Sequence, residues 1–215
     1  MFHGARDQKV AEAVTTLLYQ QYQRWINPDN LRYIKDKPFG HVFPTLNQGE
    51  GCAASSSPYI GNCNYDAAGA ALQFMYDDLA EPAKTLAGKI ISYDQHALAG
   101  SQADTLAQTG YAYVPQSCAE GAECRVHISF HGCNQYAEAV GKAYVEQTGL
   151  NRWAETNNMV VFYPQTRKSL FMPLNPQGCW DWWGYTDENY ATREGAQINA
   201  VMAIVDAYIK QQESL

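Results

Sequence analysis

The sequence predicts a three-layer α/β fold with a mainly parallel sheet. Strand-length apolar runs alternate with segments of helical period along the chain, as α/β proteins require. At 215 residues the chain is long enough for one domain with a substantial core. Its 46% hydrophobic and 17% charged residues place it among globular chains.

The elements follow in order. Lys9 to Gln23 reads as a helix, with Val10, Ala13, Val14, Leu17, Leu18 and Tyr22 on one face. After the breaker Asn27-Pro28-Asp29-Asn30, Leu31–Lys35 is a short strand candidate. Gly40 to Asn64, rich in Gly, Ser and Pro, reads as a loop. Asp66 to Leu79 is a second helix, with Asn64 as a cap candidate and Ala68, Ala71, Leu72, Met75 and Leu79 inward. Strand candidates follow at Lys89–Tyr93, Tyr111–Val114 and Arg125–Phe130. In the last, Val126, Ile128 and Phe130 alternate before His131-Gly132-Cys133. Ala137 to Asn157 is a helix broken at Gly149, and Met159–Tyr163 is a compact strand ended by Pro164. A Pro/Gly/Trp-rich loop runs to Tyr190. The last helix, Thr192 to Lys210, is expected to bury Ile198, Val201, Ile204, Val205 and Tyr208.

Bulk properties exclude some functions. The net charge is −7 with no Lys/Arg run, which argues against nucleic acid. Apolar stretches fall well short of the ~20 residues of a membrane span, so no membrane partner is expected. No motif suggests a metal or cofactor. The six cysteines are Cys52, Cys63, Cys118, Cys124, Cys133 and Cys179, none in a CxxC pair or at zinc-finger spacing. An even count argues for disulfides and an oxidising compartment, the alternative being six buried thiols. Fifteen pairings are open at this point. The opening MFHGARDQKV has no apolar signal core, so a secreted protein would carry its leader upstream of these residues.

Catalytic side chains of α/β proteins sit on loops at the C-terminal ends of strands. Three segments fit that position. Asp7 and His41 occur in the order acid, then base, one helix and one strand apart, as in α/β-hydrolases. Taken alone, Asp7 also fits a helix cap and His41 a surface loop. His131-Gly132-Cys133, running out of a strand, fits an oxyanion-hole loop or an ordinary strand-to-helix turn. In Gly178–Tyr185 three Trp fall within four residues, which suits an apolar ester or a cover for the core.

Together these pieces resemble the polyhydroxybutyrate-depolymerase family. The resemblance rests on His131-Gly132-Cys133-Asn134-Gln135, Gly149–Glu155, Val161–Gln165 and Asn175–Tyr185, and on Phe2–Asp7, Asn30–Tyr33, Gly40–Thr45 and Asn62–Gly69. It covers nearly the whole chain. It implies a circularly permuted α/β-hydrolase fold in which residues 1–215 form one domain lacking its N-terminal part. It further implies Asp7 as triad acid, His41 as triad base, the Cys133 amide at the oxyanion and Trp180, Trp182 and Trp183 as an aromatic wall for substrate. Family members hydrolyse short-chain polyhydroxyalkanoate esters, and relatives act on other short-chain esters. Within that fold the expected disulfides are Cys52–Cys63, Cys118–Cys124 and Cys133–Cys179.

The family's Ser lies upstream of the Asp, and no Gly-x-Ser-x-Gly occurs in this sequence. Ser55-Ser56-Ser57 follows no strand. The expected function is therefore ester hydrolysis by a secreted enzyme, extracellular or periplasmic, whose nucleophile lies in a missing N-terminal segment. By itself the chain is expected to be inactive. The other readings are a non-catalytic remnant of the same fold, a short-chain or feruloyl-type esterase, and an unrelated disulfide-rich binding module.

Overall fold

In a computed structural model, which describes residues 1–213, the chain builds two sheets and the helices that cover them. Helix α1 spans Glu12–Tyr22. Strands β1 (Phe43–Thr45), β2 (Glu50–Gly51) and β3 (Ile60–Asn62) form a small parallel sheet in the order β1-β3-β2. Helix α2 is Ala67–Met75, followed by β4 (Lys89–Asp94), α3 (Gln95–Ala99), β5 (Thr109–Val114) and α4 (Gln116–Ala119). Strand β6 (Arg125–Ile128) precedes α5 (Ala137–Val140), α6 (Ala143–Gln147), α7 (Leu150–Thr156), β7 (Met159–Tyr163) and α8 (Ala196–Glu213).

The larger sheet has the order β4-β5-β7-β6. It is mixed where a mainly parallel sheet was expected. Among the described residues β4–β5 and β5–β7 pair antiparallel, and β6–β7 is its parallel pairing. Every residue of β7 is buried, as a central strand covered on both faces requires. Its side chains alternate between two cores. Val161 and Tyr163 pack with Leu72, Leu150 and Trp153 on the α2/α7 side. Val160 and Phe162 pack with Ile204 and Val205 of α8 and with Ala103 on the other. The layers are helix, sheet, helix.

Several elements differ from expectation. Leu31–Lys35 is not a strand: it contributes one parallel bridge, Phe2 with Ile34. Gly40–Asn64 contains β1 to β3, too short to stand out against its turn residues. The cap of α2 is Asp66, not Asn64. Its Oδ1 accepts from Gly69 N at 2.8 Å, and its Oδ2 accepts from Trp153 Nε1 at 2.9 Å, tying α2 to α7. Met75 lies exposed rather than inward because α2 stops there. Strand β6 ends at Ile128, so Phe130 leaves the alternation and is exposed. The helix after Cys133 breaks at Gly141 as well as at Gly149, both at positive φ. Helix α8 starts at Ala196, whose N–H is held by Asp187 Oδ2 at 2.9 Å, and Ile198 faces outward.

One face stands uncovered. Helix α1 has the expected amphipathic pattern but buries none of its residues: Val14 is 59% and Leu17 65% exposed.

Candidate active site

The N-terminal segment and the stretch before His41 run side by side. His3 N donates to Ile34 O, Ala5 N to Lys37 O and Arg6 N to Phe39 O, all at 2.8–2.9 Å. Gly4 makes that approach possible, since a Cβ there would stand 2.2 Å from Phe39 O. Asp7 closes a turn on Gly4 O, and its Oδ1 accepts from Lys9 N at 2.7 Å and Val10 N at 2.9 Å. Its other oxygen lies 2.8 Å from His41 Nδ1. Burial pushes the Asp7 carboxyl up, but the bonds from Val10 N, His41 and Lys9 N outweigh it and hold it below the usual carboxylate range. The His41 main-chain N–H donates to Ser55 Oγ at 2.9 Å, so Ser55 anchors the histidine loop.

The two side chains differ in exposure, 8% for Asp7 and 43% for His41. The acid is shielded while the imidazole keeps one edge free. Among the described residues His41 Nε2 has no hydrogen-bond partner. The ring lines a cavity of about 310 Å³ with Phe43, Tyr59, Phe130, Gln135 and Tyr144.

The His131-Gly132-Cys133 loop borders the same cavity through Phe130 and Gln135. Cys133 is bridged to Cys179, and the remaining cysteines pair as Cys52–Cys63 and Cys118–Cys124. The first bridge joins the loop after β6 to the Trp loop after β7, and Asn134 N donates to Gln177 O at 2.7 Å beside it. No acceptor among the described residues faces the Cys133 N–H.

Asp181 folds the Trp loop. Its Oδ1 accepts from Gly184 N at 2.6 Å and Tyr185 N at 3.0 Å, and its Oδ2 from Thr186 N at 2.8 Å. Burial pushes this carboxyl up, yet the donors from Thr186, Tyr185 and Gly184 leave it below its ordinary value. The three Trp separate. Trp180 packs edge-on against Phe130 at 4.9 Å and lies 5.6 Å from the His131 ring, with its Nε1 buried and unpaired among the described residues. Trp182, 70% exposed, and Trp183 meet edge to face with ring centroids 5.2 Å apart. None of the three lines the His41 cavity, where Phe130 and Tyr59 do. Sequence reasoning passed over those two: Phe130 read as the inward end of a strand, and Tyr59 lay within the presumed loop.

Fold and site together define an α/β protein with a shielded Asp–His pair of the kind serine hydrolases use. No family model matches the chain. It is 39% identical over 218 residues to a polyhydroxybutyrate depolymerase of Talaromyces funiculosus, covering 95% of this chain and 64% of that protein. It is 40% identical over 210 residues to a poly(3-hydroxybutyrate) depolymerase of Delftia acidovorans, covering 96% of this chain and 41% of that protein. The chain thus spans less than two thirds of the length of these relatives. The crystal structure of PHB depolymerase from Penicillium funiculosum superposes with a TM-score of 0.91 at 37% identity, covering 96% of this chain and 68% of that one. A serine-to-alanine PHB depolymerase complexed with an R3HB trimer gives a TM-score of 0.90 at 38% identity, with the same coverage. The chain belongs to the polyhydroxybutyrate depolymerase family.

Proposed function

We propose that this chain is the acid-, base- and oxyanion-bearing part of a secreted serine esterase, extracellular or periplasmic, that cleaves poly(3-hydroxybutyrate) or related short-chain hydroxyalkanoate esters. The observation that carries this reading is the 2.8 Å Asp7–His41 bond, with the free Nε2 edge at a cavity that also meets the oxyanion loop. In this reading the nucleophilic Ser belongs to a segment of the protein outside these 215 residues, in a circularly permuted α/β-hydrolase.

The mechanism follows from the geometry. Asp7 holds Nδ1–H and so leaves Nε2 free to accept the Ser proton. The Ser oxygen attacks the ester carbonyl, and the Cys133 N–H stabilises the charge that develops on the carbonyl oxygen. Protonated His41 then gives its proton to the ester's alkoxy oxygen as the C–O bond breaks and the alcohol leaves. Water, giving its proton to His41, attacks the acyl-enzyme, and the collapse returns that proton to the Ser oxygen and frees the acid.

Two features favour an apolar polyester over a charged substrate. Among the described residues the cavity lining holds aromatic side chains and no Lys or Arg. Along the chain segment after β7, Leu170, Phe171, Met172 and Trp182 stand exposed and offer contact area to a polymer chain.

The test is release of 3-hydroxybutyrate by the full-length protein from polymer film and from soluble oligomers. Hydrolysis of both is expected, with charged esters of similar size at least about tenfold poorer, the effect of some 1.4 kcal/mol. Turnover of charged esters alone contradicts the reading.

A further inference from the structure

His131 and Gln135 are not used by the mechanism above, yet they are buried polar side chains directly beneath the oxyanion loop. Their hydrogen bonds converge on one residue. Gly132 O accepts from His131 Nδ1 at 2.7 Å and from Gln135 N at 3.1 Å. Gly132 N donates to Gln135 Oε1 at 2.9 Å. His131 Nε2 accepts from Thr166 N at 3.2 Å. That fixes the imidazole as the Nδ1–H tautomer, and burial pushes its pKa down to about 4, so it stays neutral. Gln135 Nε2 spends its two hydrogens on Pro58 O at 3.1 Å and Tyr59 O at 3.0 Å. Tyr59 in turn meets the His41 ring edge-on at 6.1 Å.

These bonds have a directional consequence. The Gly132 carbonyl and the Cys133 N–H belong to one planar trans peptide, so they point opposite ways. Two donors draw the carbonyl inward, which turns the Cys133 N–H outward. Gln135 then ties the same loop to the loop that carries Tyr59, beside the base.

We propose that His131 and Gln135 are positioning residues that preset the Gly132–Cys133 peptide as an oxyanion donor and hold it in register with His41. The proposal rests on the esterase reading for its catalytic meaning, and on the peptide geometry for its physical content.

The experiment uses the full-length protein and three variants. His131→Leu removes both imidazole bonds. His131→Asn restores a donor to the Gly132 carbonyl. Gln135→Met removes the tie to Pro58 and Tyr59, and it supplies a second route if Leu at 131 compromises folding. Steady-state kinetics on a soluble 3-hydroxybutyrate ester are read beside crystal structures of the variants. His131→Leu is expected to lower kcat by about 10²–10³, the effect of losing one oxyanion donor, with KM changed less than about threefold. His131→Asn is expected to recover most of that loss, and Gln135→Met to lose about tenfold or more in kcat. In the crystals of His131→Leu and Gln135→Met the Gly132–Cys133 peptide is expected to rotate or become multiple. A peptide that keeps its orientation, or a kcat that falls only in step with thermal stability, overturns the proposal. If the wild-type protein hydrolyses no ester, the functional reading fails instead, and the peptide orientation in the variants still decides the positioning claim.

Discussion

Replacing His41 with Ala in the full-length protein is expected to lower kcat for ester hydrolysis by on the order of 10⁶, with KM within a few-fold. The imidazole is the group that takes and returns the proton, and the other imidazole of the cavity lining, His3, is bonded through Nδ1 to Thr15 Oγ1 at 3.1 Å rather than to Asp7. Asp7→Asn is expected to cost about 10⁴, because the amide favours the wrong imidazole tautomer. That variant is a clean probe. The Asn side-chain oxygen can still accept from Lys9 N and Val10 N, so the turn that places the side chain survives. Circular dichroism should therefore be unchanged while a chromogenic ester assay collapses. Activity within tenfold of wild type in either variant would remove the pair from the mechanism.

The second large effect concerns stability. Val14, Leu17 and Leu18 form an apolar face that α1 leaves in solvent. We infer that the segment carrying the nucleophile covers it. Fully burying each such side chain is worth about 1.5–3 kcal/mol, so even half-burial of the three gives a gross gain of a few kcal/mol. At about 2–4 °C per kcal/mol for a domain of this size, the full-length protein is expected to melt on the order of 10 °C above residues 1–215 alone. Leu17→Asp separates this from a general effect of length. It is expected to be neutral in residues 1–215, where Leu17 is already wet, and to cost about 2–3 kcal/mol in the full-length protein. Equal costs in both would mean that α1 is not covered.

What the sequence made legible was the pattern that reports on local environment. The continuous apolar run of β7 forecast a compact strand, and it is a fully buried interior strand of the sheet. The spacing of Val201, Ile204 and Val205 forecast the buried stripe of α8. Strand direction was not legible, because each side chain reports which face it occupies but not which way its neighbour runs. That is why the antiparallel partners β4 and β5 went unrecognised. Helix α1 shows the same limit from the other side: its period announces a face that needs cover but does not name the cover.

At the site, acid-before-base order made Asp7 and His41 candidates and the family resemblance gave them their expected roles; the two side chains lie in contact. Family resemblance supplied the pairing of Cys133 with Cys179, found as a disulfide. Gln135 was beyond reach as a functional candidate. A buried Gln with satisfied bonds has the composition of any polar loop residue, and its meaning lies in partners 76 and 77 residues away. The Trp run drew attention through composition, yet Phe130, read only as part of a strand's alternation, lines the cavity.

The central claim is that Asp7 and His41 serve a Ser outside these 215 residues, and a serine-directed fluorophosphonate tests it most directly. The full-length protein is treated with the reagent and digested, and the labelled residue is located by mass spectrometry, with His41→Ala as control. The account expects one labelled Ser outside residues 1–215, labelling that tracks loss of esterase activity, and labelling slowed at least about 10³-fold in His41→Ala, since the free hydroxyl needs the base to react. Label on Ser55, Ser56 or Ser57, or a fully active protein that takes no label, would contradict it.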